Sequence, residues 1–501
     1  MTMTKRPLLT LLCATTLAGC NLAPTYVRPA GAVPVSLPQG GAYAPATPGA
    51  LAADMIGWRQ FFVDPALQET IALALDNNRD LRLAAANVLQ ARAQYRVQRA
   101  DLFPGITASG GAIYTNNLAS LGGGAGGGAG GGAGGGTTGG TTGTGAGTGA
   151  GAIGGTTGST ISIYQANVGL SAFEIDLFGR IRNQNEAALQ SYFASEQAQR
   201  STRITLIAEV ASAYITMAGD QDQLRIARDT LKSFQESLRL TTAQFRVGVA
   251  SELEQRQADT NYQTARNDIA VIIARLAQDQ NALNLLVGTT VPARLLPAEL
   301  GTRAYTIADL PADLGSDVLL RRPDVLEAEH RLQAQNANIG AARAALFPRI
   351  SLTATLGTLS TALSGLFGAG SQVFTVAPQA SLPLFDWGRN RNNVRANEAQ
   401  KLGAVATYEK TLQTAFREVA DALAQRGTIG EQVAAREALA NSATIAARLS
   451  DARYRAGVDS FLVSLDAQRT AYVAQQSLVT TRALRAGNIV ELYRALGGGL
   501  Q

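Results

Sequence analysis

Few residues of this chain have the types and spacings that catalysis or metal binding requires. Its two cysteines, Cys13 and Cys20, lie at the N-terminus, and its only histidine is His330. A thiol-based metal site needs paired cysteines in the mature chain, and a serine nucleophile needs a histidine beside it. The acidic residues follow no acid–base or metal-ligand spacing. We therefore expect no catalytic residue, no metal and no cofactor, and we interpret His330 as a residue of a helix face.

The N-terminal segment has the layout of a secretory signal. Lys5 and Arg6 precede an apolar run that is too short to span a bilayer, and small residues then lead to Leu17–Cys20. This end resembles the lipobox of bacterial lipoproteins. The resemblance implies cleavage before Cys20, lipidation of Cys20 by diacylglycerol and an N-acyl chain, and, because Asn21 follows, transfer to the outer membrane.

Charge and hydropathy narrow the function classes. The formal net charge is +5, and the basic residues are spread along the chain, so we expect no nucleic acid partner. After the signal, no stretch is long and apolar enough for a membrane helix. If the chain enters a membrane, it does so through β-strands.

The chain contains an internal duplication. Leu102–Ile106 recurs 244 residues later as Leu-Phe-Pro-Arg-Ile, and Phe178–Asn183 recurs 209 residues later as Trp-Gly-Arg-Asn-Arg-Asn. Phe245–Ser251 recurs at the same offset of 209 as Tyr-Arg-Ala-Gly-Val-Asp-Ser. An ordered series of this kind predicts two structural repeats. The offset falls by 35 where the first repeat holds a tract of Gly, Ala and Thr, which we interpret as a flexible loop insertion at 121–159.

Alternating patterns follow each Leu-Phe-Pro sequence. Apolar and small polar residues alternate from Ile350 to Gly357 and again from Phe374 to Leu384, and the first repeat shows a weaker version. This pattern predicts transmembrane β-strands, or alternatively a half-buried hairpin in a soluble domain. A membrane sheet cannot leave an open edge, and four strands cannot close a barrel. Several copies must therefore share one barrel, and the pattern leaves two or three copies open.

The rest of the chain predicts long helices. Two stretches of about 70 residues, from Gly179 to Gly248 and from Gly388 to Gly457, are rich in helix-forming residues, which gives roughly 100 Å of helix each. Shorter helices flank each long one and are expected to pack beside it as antiparallel partners. The turns at Gly248 and Gly457 are the expected far tips of a helical tube. We expect a signal peptide at 1–19 and a lipid-anchored segment at 20–64. The first repeat is expected at 65–290, with helix 65–103, strands 105–118 and 160–177, insertion 121–159 and helices 179–288. A linker at 291–317 then leads to the second repeat at 318–497, with helix 318–347, strands 349–360 and 372–385, and helices 388–496.

These features together resemble the TolC-like outer-membrane factor family, specifically the NodT/OprM-type lipoprotein branch of RND efflux systems. The residues that carry the resemblance are Cys20–Tyr26, Arg28, Pro29, Trp58, Phe61, Phe62, Arg322–Asp324, the strand-entry boxes with Phe103, Pro104, Phe347 and Pro348, and the segments Tyr454–Ser460 and Leu465–Arg469.

The resemblance implies a mainly α-helical fold with a transmembrane β-barrel. It implies a homotrimer with a twelve-stranded barrel, a twelve-helix periplasmic tunnel and an equatorial domain. The implied partners are outer-membrane lipid, a periplasmic adaptor and an inner-membrane RND-type pump. The implied function is that of an exit duct for drugs or other small molecules, anchored in the outer membrane and extending into the periplasm.

The resemblance also places a gate at the periplasmic tips. Around a symmetry axis, Leu462 would form an apolar ring and Asp466 an acidic ring. The alternative is that Asp466 is a solvated residue paired with Arg469 or Arg455. The expected gate residues are Leu462, Asp466, Asp459, Arg469 and Tyr454. The expected adaptor-docking residues are Arg246, Gly248, Ser251, Leu253, Gly457 and Ser460, for which plain turn chemistry is the alternative.

Other functions remain as alternatives at this point. An exit duct for type I protein secretion or for metal efflux would have the same architecture. A periplasmic adaptor lipoprotein would have a single helical hairpin and no alternating strands, which fits the duplicated pattern poorly.

Overall fold

The computed structural model describes residues 21–43, 56–115, 160–301, 305–307 and 316–498. The expected signal peptide, Cys20 and the insertion 121–159 lie outside these ranges, as do parts of the linker 291–317. The described residues divide into two compact units. The sheet unit contains the four strands, and the helical unit contains the ends of the long helices near residues 246–252 and 455–461.

Each repeat consists of helices, two strands, one long helix and a shorter helix. In the described chain, the helices are α1 (Trp58–Phe61), α2 (Pro65–Asn77), α3 (Arg79–Ala100), α4 (Arg180–Arg246), α5 (Glu252–Val287), α6 (Pro323–Ala344), α7 (Arg389–Arg455) and α8 (Phe461–Ala495). The strands are β1 (Ile106–Thr115), β2 (Ile161–Ile175), β3 (Arg349–Ser360) and β4 (Gln372–Ser381), and 3₁₀ turns lie at Ala293–Leu295, Ser316–Arg321 and Leu363–Gly365.

The two long helices confirm the predicted duplication. Helices α4 and α7 each contain 67 residues, and α7 begins and ends 209 positions after α4 begins and ends. Each is therefore about 100 Å long. Both begin after an aspartate cap: Asp176 accepts hydrogen bonds from the backbone N–H groups of Arg180 (2.7 Å) and Arg182 (2.8 Å). Before α7, Asp386 accepts from the backbone N–H groups of Gly388 and Asn390, both at 2.9 Å.

The strands form one antiparallel sheet in the order β1-β2-β3-β4. In its register, Val168 of β2 lies opposite Ala108 of β1 and Leu356 of β3. A bulge between Leu170 and Phe173 interrupts the alternation that the sequence predicts for β2. Gly357 of β3 lies so close to the backbone of β2 that a Cβ there would collide with the carbonyl oxygen of Ala166. Strands β1 and β4 are the outer strands of this sheet.

Three expected elements differ from the structure. The helix expected at 65–103 is broken at Asn78, whose backbone leaves the helical conformation while its side chain accepts from the N–H of Leu81 and donates to the carbonyl of Leu286. The helix expected at 318–347 is preceded by a 3₁₀ turn and begins at Pro323, where proline is tolerated because its missing N–H is not needed. The strand expected at 372–385 ends at Ser381, because Pro383 has no N–H for a ladder hydrogen bond.

The core of the helical unit joins the N-terminal helices to the end of the chain. The rings of Phe61 and Tyr493 stack at a centroid distance of 3.8 Å, and Tyr493 donates a 2.5 Å hydrogen bond to the carbonyl of Ile56. Nearby, buried Arg322 donates to Asp324 (2.7 Å) and Glu418 (2.9 Å). It also donates to the carbonyl oxygen of Ala495 at 2.6 Å. Within the described ranges, no helix has the length and apolar character that a membrane crossing requires.

Candidate functional site at the helical tips

Two turns of the same backbone geometry, called the tips here, connect α4 to α5 and α7 to α8. Gly248 between α4 and α5 has φ +75°, and Gly457 between α7 and α8 has φ +73°. Each glycine N–H donates back to the preceding helix, to Phe245 at 3.0 Å and to Tyr454 at 2.9 Å. A Cβ at either position would meet no atom within 4 Å. Glycine is therefore required by the left-handed backbone and not by lack of space.

The two turns start their next helices differently. Ser251 and Glu254 form a capping box, in which the Ser251 hydroxyl accepts from the Glu254 N–H at 3.2 Å and the Glu254 carboxylate accepts from the Ser251 N–H at 2.7 Å. Ser460 occupies the equivalent N-cap but makes no side-chain capping bond. Beside it, Asp459 accepts two hydrogen bonds from Arg453, at 2.6 and 2.8 Å. This arginine lowers the pKa of Asp459.

Tyr454 connects the tips of the two repeats. Its hydroxyl donates a 2.6 Å hydrogen bond to the side-chain carbonyl of Gln244, and its ring lies 5.4 Å from that of Phe461. Phe461 is buried with Ala258 and Leu465 in a small apolar cluster. Burial raises the pKa of Tyr454. The two tips of one chain are therefore fixed side by side.

The first turns of helix α8 have one buried face and one exposed face. Phe461 and Leu465 are 3% and 5% exposed, whereas Leu462 is 59% exposed and Asp466 is also exposed. Leu462 and Asp466 are four residues apart and share one helix face. No hydrogen bond or ion pair joins Asp466 to any residue that the structure describes.

The alternative pairings of Asp466 are not present within one chain. Arg455 instead forms an ion pair with Asp451 at 2.9 Å, and Arg469 is exposed, with no ion pair in the described part of the chain. Of the five expected gate residues, Tyr454 and Asp459 thus have partners in their own chain. Leu462, Asp466 and Arg469 remain available to face another molecule.

The turns expose apolar side chains to solvent. Leu253 is 66% exposed, and Arg246 is exposed as well. Sequence reasoning overlooked Val247 and Val249, which are 74% and 76% exposed. Their signal was present, because branched apolar residues next to a turn glycine have no core to enter. With Leu253 and Val458, they form an apolar tip surface at the two turns.

The strand-entry boxes end the helices before β1 and β3 in the same way. The N–H of Phe103 donates to Ala100 (3.0 Å) and that of Phe347 donates to Ala344 (3.1 Å). Phe347 stacks on Phe178 at 4.7 Å, whereas Phe103 is 63% exposed. Pro104 and Pro348 follow each turn and stop helix continuation.

The remaining ionisable groups favour a structural role. His330 contacts the side-chain oxygen of Gln190 at 2.7 Å and lies 5.5 Å from the Phe193 ring, and burial lowers its pKa. No group of three or more His, Cys, Asp or Glu residues arranged for a metal ion occurs among the residues described.

Sequence reasoning missed a pair of carboxylates between α4 and α5, of which Asp220 is buried and Asp279 is partly buried. One carboxylate oxygen of Asp220 and one of Asp279 are buried without a hydrogen-bond donor, and Arg275 bonds Asp220 at 3.0 Å. Burial, together with the nearby Asp220 carboxylate, raises the pKa of Asp279 to about 6. No local pattern marks such a pair, because it depends on how two helices pack.

Comparison with known proteins places the chain in a family. The model of the outer membrane efflux protein family matches residues 70–289 and 314–498. The "probable efflux pump outer membrane protein TtgC" of Pseudomonas putida is 45% identical over 498 residues, which cover 99% of this chain and 96% of that protein.

Solved structures share the fold. A membrane protein from Pseudomonas aeruginosa is 40% identical with a TM-score of 0.83, and the match covers 95% of this chain and 100% of that chain. The open state of the MtrE outer membrane channel of Neisseria gonorrhoeae is 33% identical with a TM-score of 0.81, covering 96% and 99% of the two chains. The chain therefore belongs to the outer membrane efflux protein family: it is an efflux channel of the outer membrane, a conduit for transport and not an enzyme.

Proposed function

We propose that three copies of this chain form one exit duct, with a twelve-stranded barrel in the outer membrane and a twelve-helix tunnel in the periplasm. The observation that carries the proposal is the four-stranded sheet with two outer strands, β1 and β4. Unpaired backbone groups facing lipid cost several kcal/mol each, so these strands need partners from other copies. Exposed apolar side chains on the sheet, such as Leu356 (66%), Phe374 (78%) and Val376 (62%), suit a lipid-facing surface.

Disulfide crosslinking tests the shared barrel. Cysteines at Ala108 of β1 and Val376 of β4 lie on the two outer strands, and shifting one of them by two residues samples the register between copies. We expect covalent trimers and no larger species in outer membranes. A control pair at Val168 and Leu356, which face each other within one chain, should give only monomers. Failure of every β1–β4 pair would contradict the shared barrel.

We also propose that the duct works with a periplasmic adaptor and an inner-membrane RND-type pump to export drugs or other small molecules. Support comes from the pump named for the TtgC relative and from the apolar tip surface formed by Val247, Val249, Leu253 and Val458. Together with Arg246, Gly248, Ser251, Gly457 and Ser460, these residues form the proposed docking site. Exposed apolar side chains in a fixed turn offer an adaptor a surface whose burial favours association.

Crosslinking to the adaptor tests this site. A cysteine at Ala250 or Val458 should crosslink to the cognate adaptor in cells that express the complete pump. A cysteine at Thr361, in the turn between β3 and β4, is the matched control and should not. Equal crosslinking from both regions, or none from the tips, would refute docking at the tips.

The proposed gate consists of Leu462 and Asp466, with Arg469, Asp459 and Tyr454 beside them. Its support is the exposed face of α8, where Leu462 is 59% exposed and Asp466 has no hydrogen-bond or ion-pair partner among the residues that the structure describes. Around a threefold axis, the leucines form a constriction that disfavours water and the carboxylates an acidic ring. The Asp459–Arg453 ion pair and the Tyr454–Gln244 hydrogen bond hold the turn that carries this face.

Conductance in planar bilayers tests the gate. The variant Leu462→Ala/Asp466→Ser should show a higher single-channel conductance than the wild type. The control Val463→Ala/Thr470→Ala changes two exposed residues of the same helix and should leave conductance unchanged. Equal conductance of wild type and the gate variant would exclude these two residues as the constriction.

We propose that Cys20 carries the lipid anchor after removal of residues 1–19. The segment just after Cys20 supports this because it is held against helix α6. Arg28 forms two hydrogen bonds to Glu329, at 2.9 and 2.8 Å, and Tyr26 donates to the same carboxylate at 3.1 Å. Mass spectrometry of the mature N-terminal peptide should show an acylated Cys20. An unmodified Cys20, or an N-terminus before it, would refute the anchor.

A further inference from the structure

A cleft in the helical unit collects three arginines around a tryptophan. The cleft has a volume of about 540 Å³ and is lined by residues from α1, α2, the start of α3 and the first half of α4. Arg59, Arg200 and Arg203 all line it, and Asp76 is its only carboxylate among the lining residues. This gathering of positive charge plays no part in the duct, gate or docking surface proposed above.

The three guanidinium groups have no acidic partner within the described chain. Other arginines of α4 and α5 do: Arg225 pairs with Asp222 at 3.0 Å, and Arg275 pairs with Asp220 at 3.0 Å. Within the described residues, no hydrogen bond or ion pair joins the guanidinium group of Arg59, Arg200 or Arg203 to another side chain, although the backbone carbonyl of Arg59 accepts from Gln68 at 3.0 Å. Unpaired guanidiniums beside one another repel, and a bound anion relieves that repulsion.

The positions of the three arginines are fixed by their elements. Arg200 and Arg203 are three residues apart on α4 and therefore share one helix face. The Arg59 guanidinium lies 4.4 Å above the ring centre of Trp58, a cation–π contact, and Trp58 is 2% exposed. The buried indole thus holds the Arg59 guanidinium at the cleft.

Arg82, which is not among the lining residues, already bonds the C-terminal end of α2. The carbonyl oxygen of Asp76, near the C-terminal end of α2, accepts a 3.0 Å hydrogen bond from Arg82. A cation at this position offsets the partial negative charge of the helix end. The three lining arginines therefore remain available for a ligand.

We propose that this cleft binds a small soluble oxyanion with several charged oxygens, of the phosphate or diphosphate class. Guanidinium groups bind such oxygens through paired hydrogen bonds, and several arginines together select for clustered negative charge. The large apolar residues of the lining are buried (Trp58) or half-buried (Leu75 and Leu81), so the cleft offers little surface for an acyl chain. This argument favours a soluble anion over a lipid headgroup.

The test is binding of inorganic pyrophosphate to the purified full-length protein in detergent, measured by isothermal titration calorimetry at low salt. We expect saturable binding that weakens as sodium chloride is added, because salt screens the arginines. The variant Arg200→Gln/Arg203→Gln should bind at least about tenfold more weakly, since each charge-assisted hydrogen bond contributes that much. Arg228→Gln removes an exposed arginine of the same helix and should bind as the wild type does.

A second readout locates the ligand. The chain has two tryptophans, Trp58 and Trp387, so Trp387→Phe leaves Trp58 as the only reporter. Pyrophosphate should change the Trp58 emission with the same midpoint as the calorimetric curve. Absence of binding, equal binding by the double glutamine variant, or binding with no change at Trp58 would each overturn the proposal. None of these outcomes depends on the channel activity.

Discussion

Replacing Asp279 with Asn should remove a pH dependence of stability from the helical unit. Asp279 lies on α5 with Asp220 of α4 beside it, and one oxygen of each carboxylate is buried without a donor. Burial and the Asp220 carboxylate raise the pKa of Asp279 from 3.8 to about 6 in the folded chain. Between these two pH values, the folded state holds a proton that the unfolded state has released. Stability therefore falls as the pH rises from about 4 to 6 and stays lower above that.

The size of the effect follows from the pKa difference. A change from 3.8 to about 6 corresponds to about 3 kcal/mol for a fully buried carboxylate. Asp279 is only partly buried, and the charge of Arg275, which pairs with Asp220, opposes the shift, so we expect about 1 kcal/mol per chain after solvent screening. Asn has a similar shape and no charge, and its amide can donate to the unpaired oxygen of Asp220. Asp279→Asn should therefore be more stable than the wild type at pH 7.5 and about equal to it near pH 4.

Thermal unfolding followed by circular dichroism measures this difference. The Tm of the wild type, recorded in one detergent from pH 4 to pH 8, should fall more steeply than that of Asp279→Asn. The control Asp421→Asn alters a carboxylate that is 76% exposed on α7, and its slope should match the wild type. If Asp279→Asn keeps the wild-type slope, the two carboxylates do not share a proton and the reasoning fails.

Three further substitutions, two of them with a control variant, test the described contacts through the Tm at pH 7.5. Ser251→Ala removes a capping box and should cost about 1 kcal/mol, whereas Ser460→Ala removes no capping bond and should cost less; equal losses would contradict the difference between the turns. Arg322→Met leaves two carboxylates without their partner and should cost about 3–5 kcal/mol, so a loss below that of Ser251→Ala would refute its role. Gly357→Ala places a Cβ against the neighbouring strand and should therefore lower the stability of the sheet. Its control is Gly370→Ala, at a position with open space but a left-handed backbone, which should cost no more than about 1–2 kcal/mol.

Much of the fold was predictable because its signals are local or repeated. The turn glycines Gly248 and Gly457 need left-handed backbone, and they end helices at positions that the 209-residue offset relates. Alternation and proline positions gave the strands to within a few residues, apart from the early end of β4. A repeated signal is stronger than a single one, because each copy supports the boundaries of the other.

The features that sequence reasoning missed depend on packing across the chain. Asn78 looks like an ordinary helix residue, and only its hydrogen bond to Leu286, 208 positions away, explains the break between α2 and α3. From the sequence alone, the Asp279 carboxylate is expected to be exposed on a polar helix, but in the structure α4 partly covers it. Arg59 and Arg203 meet in one cleft although 144 positions separate them. No pattern within a short window encodes such contacts.

The number of chains in one duct tests the central claim most directly. Native mass spectrometry of the mature protein, released from outer membranes in mild detergent, measures it without crosslinking. We predict one dominant species with three times the mass of a single acylated chain, because the outer strands β1 and β4 need partners. A stable single chain that still conducts ions in planar bilayers would contradict the shared barrel.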